Sequence, residues 1–210
     1  RWELLADQLA STGALHACLS DSEAADRIRG VVDPAVHIHC GEEGLLEMIA
    51  ECDFDIALHA ITGAAGIKPT FAVVERGRPL ALANKESVVA AGPLLCRQAE
   101  EAGVPIIPVD SEHAATFQCL RGEDRSKVRR MILTASGGPF RDHDPSQLSS
   151  VTPAQALNHP TWDMGPRILV DSATMMNKAL EIMEAHYLFG FEPEQIEVVV
   201  HRQSIVHGMV

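Results

Sequence analysis

Short apolar runs alternate with helix-forming segments through the first half of the chain, and this alternation constrains the fold more than any other feature. Each run predicts a strand, and they lie at residues 14–19, 36–40, 54–61, 80–83 and 104–108. Segments typical of helices separate them. Strands that alternate with helices form parallel sheets with helices on their faces. The sequence therefore predicts an α/β protein with a parallel, doubly wound, Rossmann-like sheet.

The texture of the chain changes after residue 120. Residues 121–130 are charged and predict a connection. We therefore expect a first domain at 1–120 and a second at 121–210, the second an α+β domain.

Several elements are expected within these domains. In the first, we expect a helix over residues 93–102. In the second, Asp171 and Ser172 form a suitable N-cap for a helix over residues 173–188. Strands are expected at residues 131–134, 168–170, 196–200 and 205–210.

Composition excludes some classes of partner. The formal net charge of −12 argues against affinity for nucleic acid or for anionic lipid. No apolar run approaches the roughly 20 residues that span a bilayer, and no signal peptide is visible. The five cysteines are irregularly spaced, which predicts reduced thiols and a cytoplasmic protein. Arg1 is not a Met and Val210 ends an apolar run, so both ends look cut.

The stretch VDSEH at residues 109–113 follows a predicted buried strand. Ligands of open α/β sheets bind at the carboxyl ends of strands. Asp110 and Glu112 are hard oxygen ligands that suit one divalent cation, if a third carboxylate comes from elsewhere. The alternative is that Asp110 or Ser111 caps the next helix and Glu112 lies in its first turn.

A second polar group is expected on the helix after Asp171. Asn177, Lys178 and Glu181 fall within about 100° of one another around that helix. Glu181 could be the third carboxylate, and the other two could be donors to an anion. The alternative is a solvated face with a Lys178–Glu181 ion pair.

Further polar residues lie near predicted strand ends or helix starts. Ser136 and Ser172 could bind a phosphate. Lys85 could join them, although it could equally be the charged start of a helix. His159 and His207 lie beside apolar residues and could be ordinary, partly buried histidines. By residue type, the set indicates a site for a metal and a phosphosugar.

The motifs together resemble those of the 1-deoxy-D-xylulose 5-phosphate reductoisomerase family. They are LANKES at residues 82–87, VDSEH at 109–113, TASGGPF at 134–140, HPTWDMG at 159–165, DSATMMNK at 171–178 and QSIVH at 203–207. The resemblance implies conversion of 1-deoxy-D-xylulose 5-phosphate to 2-C-methyl-D-erythritol 4-phosphate with NADPH and Mg²⁺ or Mn²⁺. This is a step of the non-mevalonate isoprenoid route. It also implies a homodimer, in the cytoplasm or, in a plant or alga, in the plastid.

The resemblance assigns roles to single residues. The implied metal ligands are Asp110, Glu112 and Glu181, and the implied catalytic residues are Lys85, Glu112 and His207. Substrate contacts are implied for Lys85, Ser111, Glu112, Ser136, His159, Trp162, Ser172, Asn177, Lys178 and Glu181. Cofactor contacts are implied for Asn84, Glu86 and Gly165. Trp162 and Met164 lie in what resembles the family's mobile flap.

The chain departs from the family pattern in a few places. Ala179 stands where glycine is usual, Arg202 replaces a proline, and Arg167 replaces a lysine. The family's Gly-rich NADPH loop and its C-terminal helical domain do not occur in the sequence. We therefore expect the 210 residues alone to have little or no reductoisomerase activity.

Two other functions stay open at this point. A metal-dependent phosphosugar aldolase or isomerase without a nicotinamide would share the carboxylates and phosphate donors. A non-catalytic sugar-phosphate binding module would bind ligand without turnover.

Overall fold

The computed structural model describes residues 1–210, and its first part is a small two-stranded unit. Its elements are α1 (Trp2–Thr12), β1 (His16–Leu19), α2 (Ser22–Arg29), β2 (His37–Cys40) and α3 (Gly41–Glu51). The strands β1 and β2 pair in parallel. Leu9, Ala17 and Ile28 form the small buried core beneath them.

A second parallel sheet follows, with three strands in the order β3-β4-β5. Its elements are β3 (Ala57–His59), α4 (Ile67–Glu75), β4 (Leu80–Leu82), α5 (Lys85–Glu101) and β5 (Ile106–Pro108). Helices α4 and α5 bury Val74, Val88 and Leu95 against Leu80 of the central strand. The predicted α/β class with parallel strands and covering helices is confirmed. The strands form two separate sheets in this chain.

Helix α5 is longer than the sequence predicted. It begins at Lys85, capped by the Asn84 side chain, and the expected start at residue 93 is wrong. Pro93 lies inside the helix because the backbone has already departed from helical geometry at Ala91, where φ is −140°. Proline fits the first turn of a restarted helix, where its missing N–H needs no partner.

The rest of the chain forms a mixed sheet covered by helices. Its elements are α6 (Ser111–Leu120), β6 (Met131–Ala135), α7 (Pro153–Ala156), α8 (Pro166–Ala173), α9 (Met176–Phe189), β7 (Ile196–Val200) and β8 (Gly208–Met209). The central strand β6 pairs in parallel with β7 and antiparallel with β8. Met131 and Leu133 of β6 pack with Leu120 of α6 and with Ala185 and Phe189 of α9.

Helix α8 corrects two expectations. The strand expected at residues 168–170 is wrong, because Pro166 at the first helical position starts a helix there. Three apolar residues show too little periodicity to separate strand from helix. Asp171 and Ser172 lie in the last turn of α8 and do not cap α9. The break falls at Met175, whose φ is +60°.

Helix α9 joins the two halves of the molecule. Its residues Tyr187 and Leu188 pack on the core of the β3-β4-β5 sheet. A Cβ at Gly92 of α5 would meet the Tyr187 ring at 2.5 Å. The close crossing of α5 and α9 brings their polar residues together at the carboxyl ends of β4, β5 and β6. None of the helices combines the length and apolar character needed to cross a bilayer.

Candidate active site

A cavity of 330 Å³ lies where the ends of β5 and β6 meet helices α6, α8 and α9. Many of the residues singled out from the sequence line it. They are Lys85, Asp110, Ser111, Glu112, Ser136, Trp162, Met164, Ser172, Asn177, Lys178, Glu181 and His207. The fold therefore brings residues from widely separated positions in the chain to one place.

Asp110 caps α6 with one carboxylate oxygen and directs the other away from the helix. Its Oδ1 accepts hydrogen bonds from the backbone N–H groups of Glu112 at 3.1 Å and His113 at 3.4 Å, and so caps α6. Its Oδ2 points to the other side, where it contacts the ammonium of Lys85. Capping therefore leaves one carboxylate oxygen for the cavity.

The polar face of α9 is buried. Lys178 is 6% exposed and Glu181 only 1%, so the alternative of a solvated face is wrong. The Lys178 ammonium contacts Glu181, lies 3.1 Å from Glu112 and donates to the Thr134 carbonyl. The ion pair expected at i, i+3 does form, but in the interior.

Lys85 is the first residue of α5, as the structural alternative predicted, and its side chain reaches into the same charged cluster. Its ammonium contacts Asp110 and lies 3.5 Å from Glu181 and 3.4 Å from Glu184. The sequence reasoning missed Glu184. Its position one turn after Glu181, on the same face of a helix, was the available signal.

We call Lys85, Asp110, Glu112, Lys178, Glu181 and Glu184 the charged floor. Two ammonium groups face four carboxylates there, so the fully ionised floor carries a net charge of −2. Oxygens of Asp110, Glu112 and Glu181 lie within 4.8 Å of one another. Three carboxylates at a site with excess negative charge fit a divalent cation that prefers oxygen ligands.

Burial and the surplus of carboxylates shift the titration of the floor. Burial, together with the charge of Asp110, raises the pKa of Glu181 to about 7 against the opposing effect of the lysines. Burial likewise raises the pKa of Glu184 to about 7. Burial disfavours the charged form of Lys85, but the carboxylates outweigh it and the pKa of Lys85 is raised.

Asn177 offers the cavity an acceptor. Its amide nitrogen donates to Glu181 at 2.5 Å, and its Oδ1 is buried without a hydrogen-bond partner. Such an atom is costly unless a ligand satisfies it. The free atom suits a hydroxyl donor, whereas the sequence reasoning had proposed Asn177 as a donor to an anion.

His159 lies beside the cavity and contacts Ser136, which lines it. Its Nδ1 accepts hydrogen bonds from the backbone N–H groups of Thr161 at 3.1 Å and Trp162 at 3.0 Å. A neutral His159 therefore carries its proton on Nε2, which donates to Ser136 Oγ at 3.0 Å. Burial and the charge of Arg141 lower the pKa of His159, which favours this neutral form. The Ser136 hydroxyl proton stays available to an anion.

We call residues 159–165 the flap. Trp162 is 44% exposed, and its ring lies 6.3 Å from the His207 ring, measured between centroids. The two rings are tilted by 52° to each other, and both line the cavity. The flap contains no regular element, as Pro160 and Gly165 within it and Pro166 just after it predicted.

A second cavity of 260 Å³ adjoins the first and shares Lys85, Asn177 and Ile168 with it. Asn84, Glu86 and Gly165, the predicted cofactor residues, line it. The Asn84 amide donates to the carbonyls of Ile61 at 2.7 Å and Gly63 at 3.0 Å, so this side chain ties two loops together. Arg167 pairs with Glu86 at 2.6 Å.

Two further residues of the first cavity escaped the sequence reasoning. Met175 and Ser204 have φ values of +60° and +49°, and both line the cavity. Non-glycine residues rarely adopt this conformation, and it is concentrated at functional sites. Ser204 lies within the QSIVH motif, which was the available signal. Met175 lies within the DSATMMNK motif, but nothing in the sequence marks its backbone conformation.

The fold and the cavity define a class of protein: an α/β protein with a parallel sheet and a buried carboxylate site at the strand ends. The family models are more specific. Residues 1–92 match the model described as 1-deoxy-D-xylulose 5-phosphate reductoisomerase, and residues 106–189 match its C-terminal domain. The chain belongs to the 1-deoxy-D-xylulose 5-phosphate reductoisomerase family.

Curated relatives agree with this assignment. The reductoisomerase of Exiguobacterium sibiricum is 51% identical over 190 residues, which cover 90% of this chain and 50% of the relative. That of Xanthomonas campestris pv. campestris strain B100 is 53% identical over 199 residues, with 93% and 50% covered. The chain thus spans about half the length of the curated relatives it matches.

Solved structures resemble the whole chain. The reductoisomerase from Zymomonas mobilis in complex with NADPH has a TM-score of 0.91 and 41% identity, covering 100% of this chain and 54% of that one. A DOX-P reductoisomerase in complex with NADPH, fosmidomycin and magnesium has a TM-score of 0.89 and 36% identity, covering 99% and 54%.

Proposed function

We propose that the protein converts 1-deoxy-D-xylulose 5-phosphate to 2-C-methyl-D-erythritol 4-phosphate with NADPH and a divalent cation. The observation that carries this proposal is the charged floor, where three carboxylates converge in a cavity that also holds two lysines and four serines. Family membership supports it, as do the NADPH and magnesium in the related structures.

Asp110, Glu112 and Glu181 would hold Mg²⁺ or Mn²⁺. Such an ion polarises a carbonyl and stabilises negative charge that develops on substrate oxygens. Ser111 donates to Glu112 at 2.6 Å and so orients that carboxylate. Lys178 and Lys85 favour the ionised carboxylates and hold them in place through their contacts with Glu181 and Asp110.

The substrate would lie between the floor and the flap. Ser136, Ser172 and His159 support its phosphate end, because Ser136 keeps a free hydroxyl proton and His159 fixes its orientation. The free Oδ1 of Asn177 would accept a hydrogen bond from a substrate hydroxyl. Lys85 and Ser111 lie toward the reacting carbons.

The flap would exclude water from the reactive intermediate. Trp162 would cover the substrate, and His207 would meet it from the opposite wall.

NADPH would bring its reactive end to the second cavity and deliver a hydride to the aldehyde formed by rearrangement. Asn84, Glu86 and Gly165 line that cavity, and its shared wall with the first would bring donor and acceptor together. The side chain of Asn84 is already committed to the loops, so it would shape the cavity more than bind directly.

The finer organisation belongs to the same proposal. We place a cofactor-binding domain at residues 1–120 and a substrate and metal domain at 121–210. The protein would act as a homodimer in the cytoplasm, and Mn²⁺ would serve beside Mg²⁺.

The test measures NADPH oxidation by the protein expressed from its complete gene, with 1-deoxy-D-xylulose 5-phosphate and Mn²⁺. Glu112→Gln removes one ligand charge without changing size, so the rate should fall by at least about 100-fold. Glu123→Gln, an exposed exchange outside the cavity, is the matched control and should keep the rate.

Two outcomes would overturn the proposal. Product formation without NADPH oxidation would favour a non-redox isomerase, and binding without turnover would favour a binding module. An unchanged rate in Glu112→Gln would remove the metal site from this strand end.

A further inference from the structure

Three histidines lie on one face of the small sheet formed by β1 and β2. His16 is in register with His37, and His39 follows two residues later, so the strand alternation places all three side chains on the same face. The His16 ring stacks on His37 with centroids 5.0 Å apart and lies 5.6 Å from the His39 ring. Neither cavity described above includes them.

The potential ligand atoms of this cluster already have the spacing of a metal site. His16 Nδ1 lies 3.3 Å from His39 Nε2, and Glu51 Oε2 lies 3.8 Å from the same Nε2. Two nitrogens bound to one zinc at about 2.0–2.1 Å in tetrahedral geometry lie about 3.3 Å apart. Ligand atoms of all three residues fall within 4.8 Å of one another.

The cluster combines a fixed part with an adjustable part. The His39 side chain is only 9% exposed, and it packs so closely on α3 that a Cβ at Gly44 would meet its Cβ at 3.2 Å. Glu51 ends α3 and its side chain is 59% exposed, so it can close on an ion without disturbing the core. Cys18 shares this face, but its Sγ contacts the Gly41 carbonyl at 3.5 Å.

We propose that His16, His39 and Glu51 form a second metal site that binds a divalent transition metal of the zinc type. Imidazole ligands favour zinc and its neighbours, whereas Mg²⁺ prefers sites built from oxygen alone. The ion would join β1, β2 and the end of α3, and would leave a fourth position for water or for His37. Its role is to stabilise the two-stranded unit, which has a small core of its own.

The experiment titrates the full chain with Zn²⁺, and in parallel with Co²⁺ as a coloured probe, in excess Mg²⁺ that occupies the carboxylate site. One equivalent should bind, Co²⁺ should show the strong visible absorption of nitrogen ligation at low coordination number, and Tm should rise. His39→Gln and Glu51→Gln should each weaken Zn²⁺ binding by at least about tenfold. Because Glu51 is exposed, its variant keeps the fold even if His39→Gln does not.

Two matched variants separate this site from other causes. His143→Gln removes an exposed histidine elsewhere and should leave Zn²⁺ binding intact, as should Asp110→Asn in the charged floor. No Zn²⁺ binding, binding unaffected by both His39→Gln and Glu51→Gln, or binding lost in Asp110→Asn would overturn the proposal.

Discussion

The charged floor and the flap enclose one cavity, but they are held in opposite ways. The floor is buried and fixed by ion pairs, as Lys178 at 6% exposure and Glu181 at 1% show. The flap is exposed, and His159 fixes it through neutral hydrogen bonds to the backbone of Thr161 and Trp162. Buried charges are costly to rearrange, whereas a few neutral hydrogen bonds break and re-form readily. The arrangement suits a preformed ion site beneath a cover that opens.

The largest effect on stability should come from removing a charge of the floor. Lys178→Met removes the only lysine contact of Glu112 and one of the two lysine contacts of the buried Glu181, so we expect a loss of about 3–5 kcal/mol in the free energy of unfolding. Urea unfolding measures it. The control is Lys127→Met, whose ammonium is 82% exposed in an i, i+3 pair with Asp124 and should contribute little. Equal losses in both variants would contradict the distinction between floor and surface.

A smaller effect is expected at Gly138, which follows β6 and packs against α8. Its φ is +68°, and a Cβ there would meet the Ser172 carbonyl oxygen at 2.5 Å. Gly138→Ala combines backbone strain with a clash against backbone, so we expect a loss of about 1–3 kcal/mol. Gly122→Ala has the same strain at φ +82° with open space around it, and isolates the clash. Loss of the same size in both would show that the contact with α8 is unimportant.

The flap should lose its hydrogen bonds to His159 as the pH falls, whereas the charged floor should stay in place. The pKa of His159 lies below its ordinary value, so its neutral form is favoured above about pH 6.5. As the pH falls below that value, protonation of Nδ1 removes the acceptor for Thr161 and Trp162. The positive charge of Arg141 opposes protonation and moves the transition to lower pH.

Tryptophan fluorescence measures this opening. In a Trp2→Phe background Trp162 is the only tryptophan, and its emission should shift to the red as the pH falls from neutral. His159→Gln cannot titrate and should abolish the shift. A shift that persists in that variant would assign the opening to another group.

The smallest effect is expected at Arg202, one of the departures from the family pattern. Its guanidinium pairs with both oxygens of Asp142, at 3.0 and 2.5 Å, and both side chains are 58% exposed. Arg202→Ala should leave Tm unchanged within error, since exposed ion pairs contribute little. Calorimetry at low and moderate salt checks this. A clear fall in Tm would show that this surface pair holds the loop before β8 in place.

Sequence reasoning predicted the fold class and most strands, because alternation of apolar runs with capped helices is a local signal. It failed where local signals were ambiguous. The apolar run at residues 168–170 fits a strand and a helix equally well, and only the position of Pro166 favours the helix. The sequence also could not decide whether Lys178 and Glu181 face water, since burial depends on the crossing of α5 and α9.

For the candidate site, the motifs brought together most of the residues that line the cavity, but not the contacts among them. Glu184 was missed because it lies outside the quoted motifs, although it lies 3.4 Å from the Lys85 ammonium. The hydrogen bond from Asn177 to Glu181 follows from their i, i+4 spacing, but the burial of the free Asn177 acceptor depends on tertiary packing. The roles of these residues in binding and catalysis remain predictions that the experiments above test.

The divided carboxylate of Asp110 has a consequence for protein engineering. One oxygen begins a helix and the other faces the cavity, so most replacements would change folding and ion affinity at once. Asparagine is the isosteric exception, since it keeps an oxygen acceptor for the backbone and gives up the negative charge. A library restricted to aspartate and asparagine at this position would therefore vary ion affinity while α6 keeps its cap. A wider library would confuse the two properties.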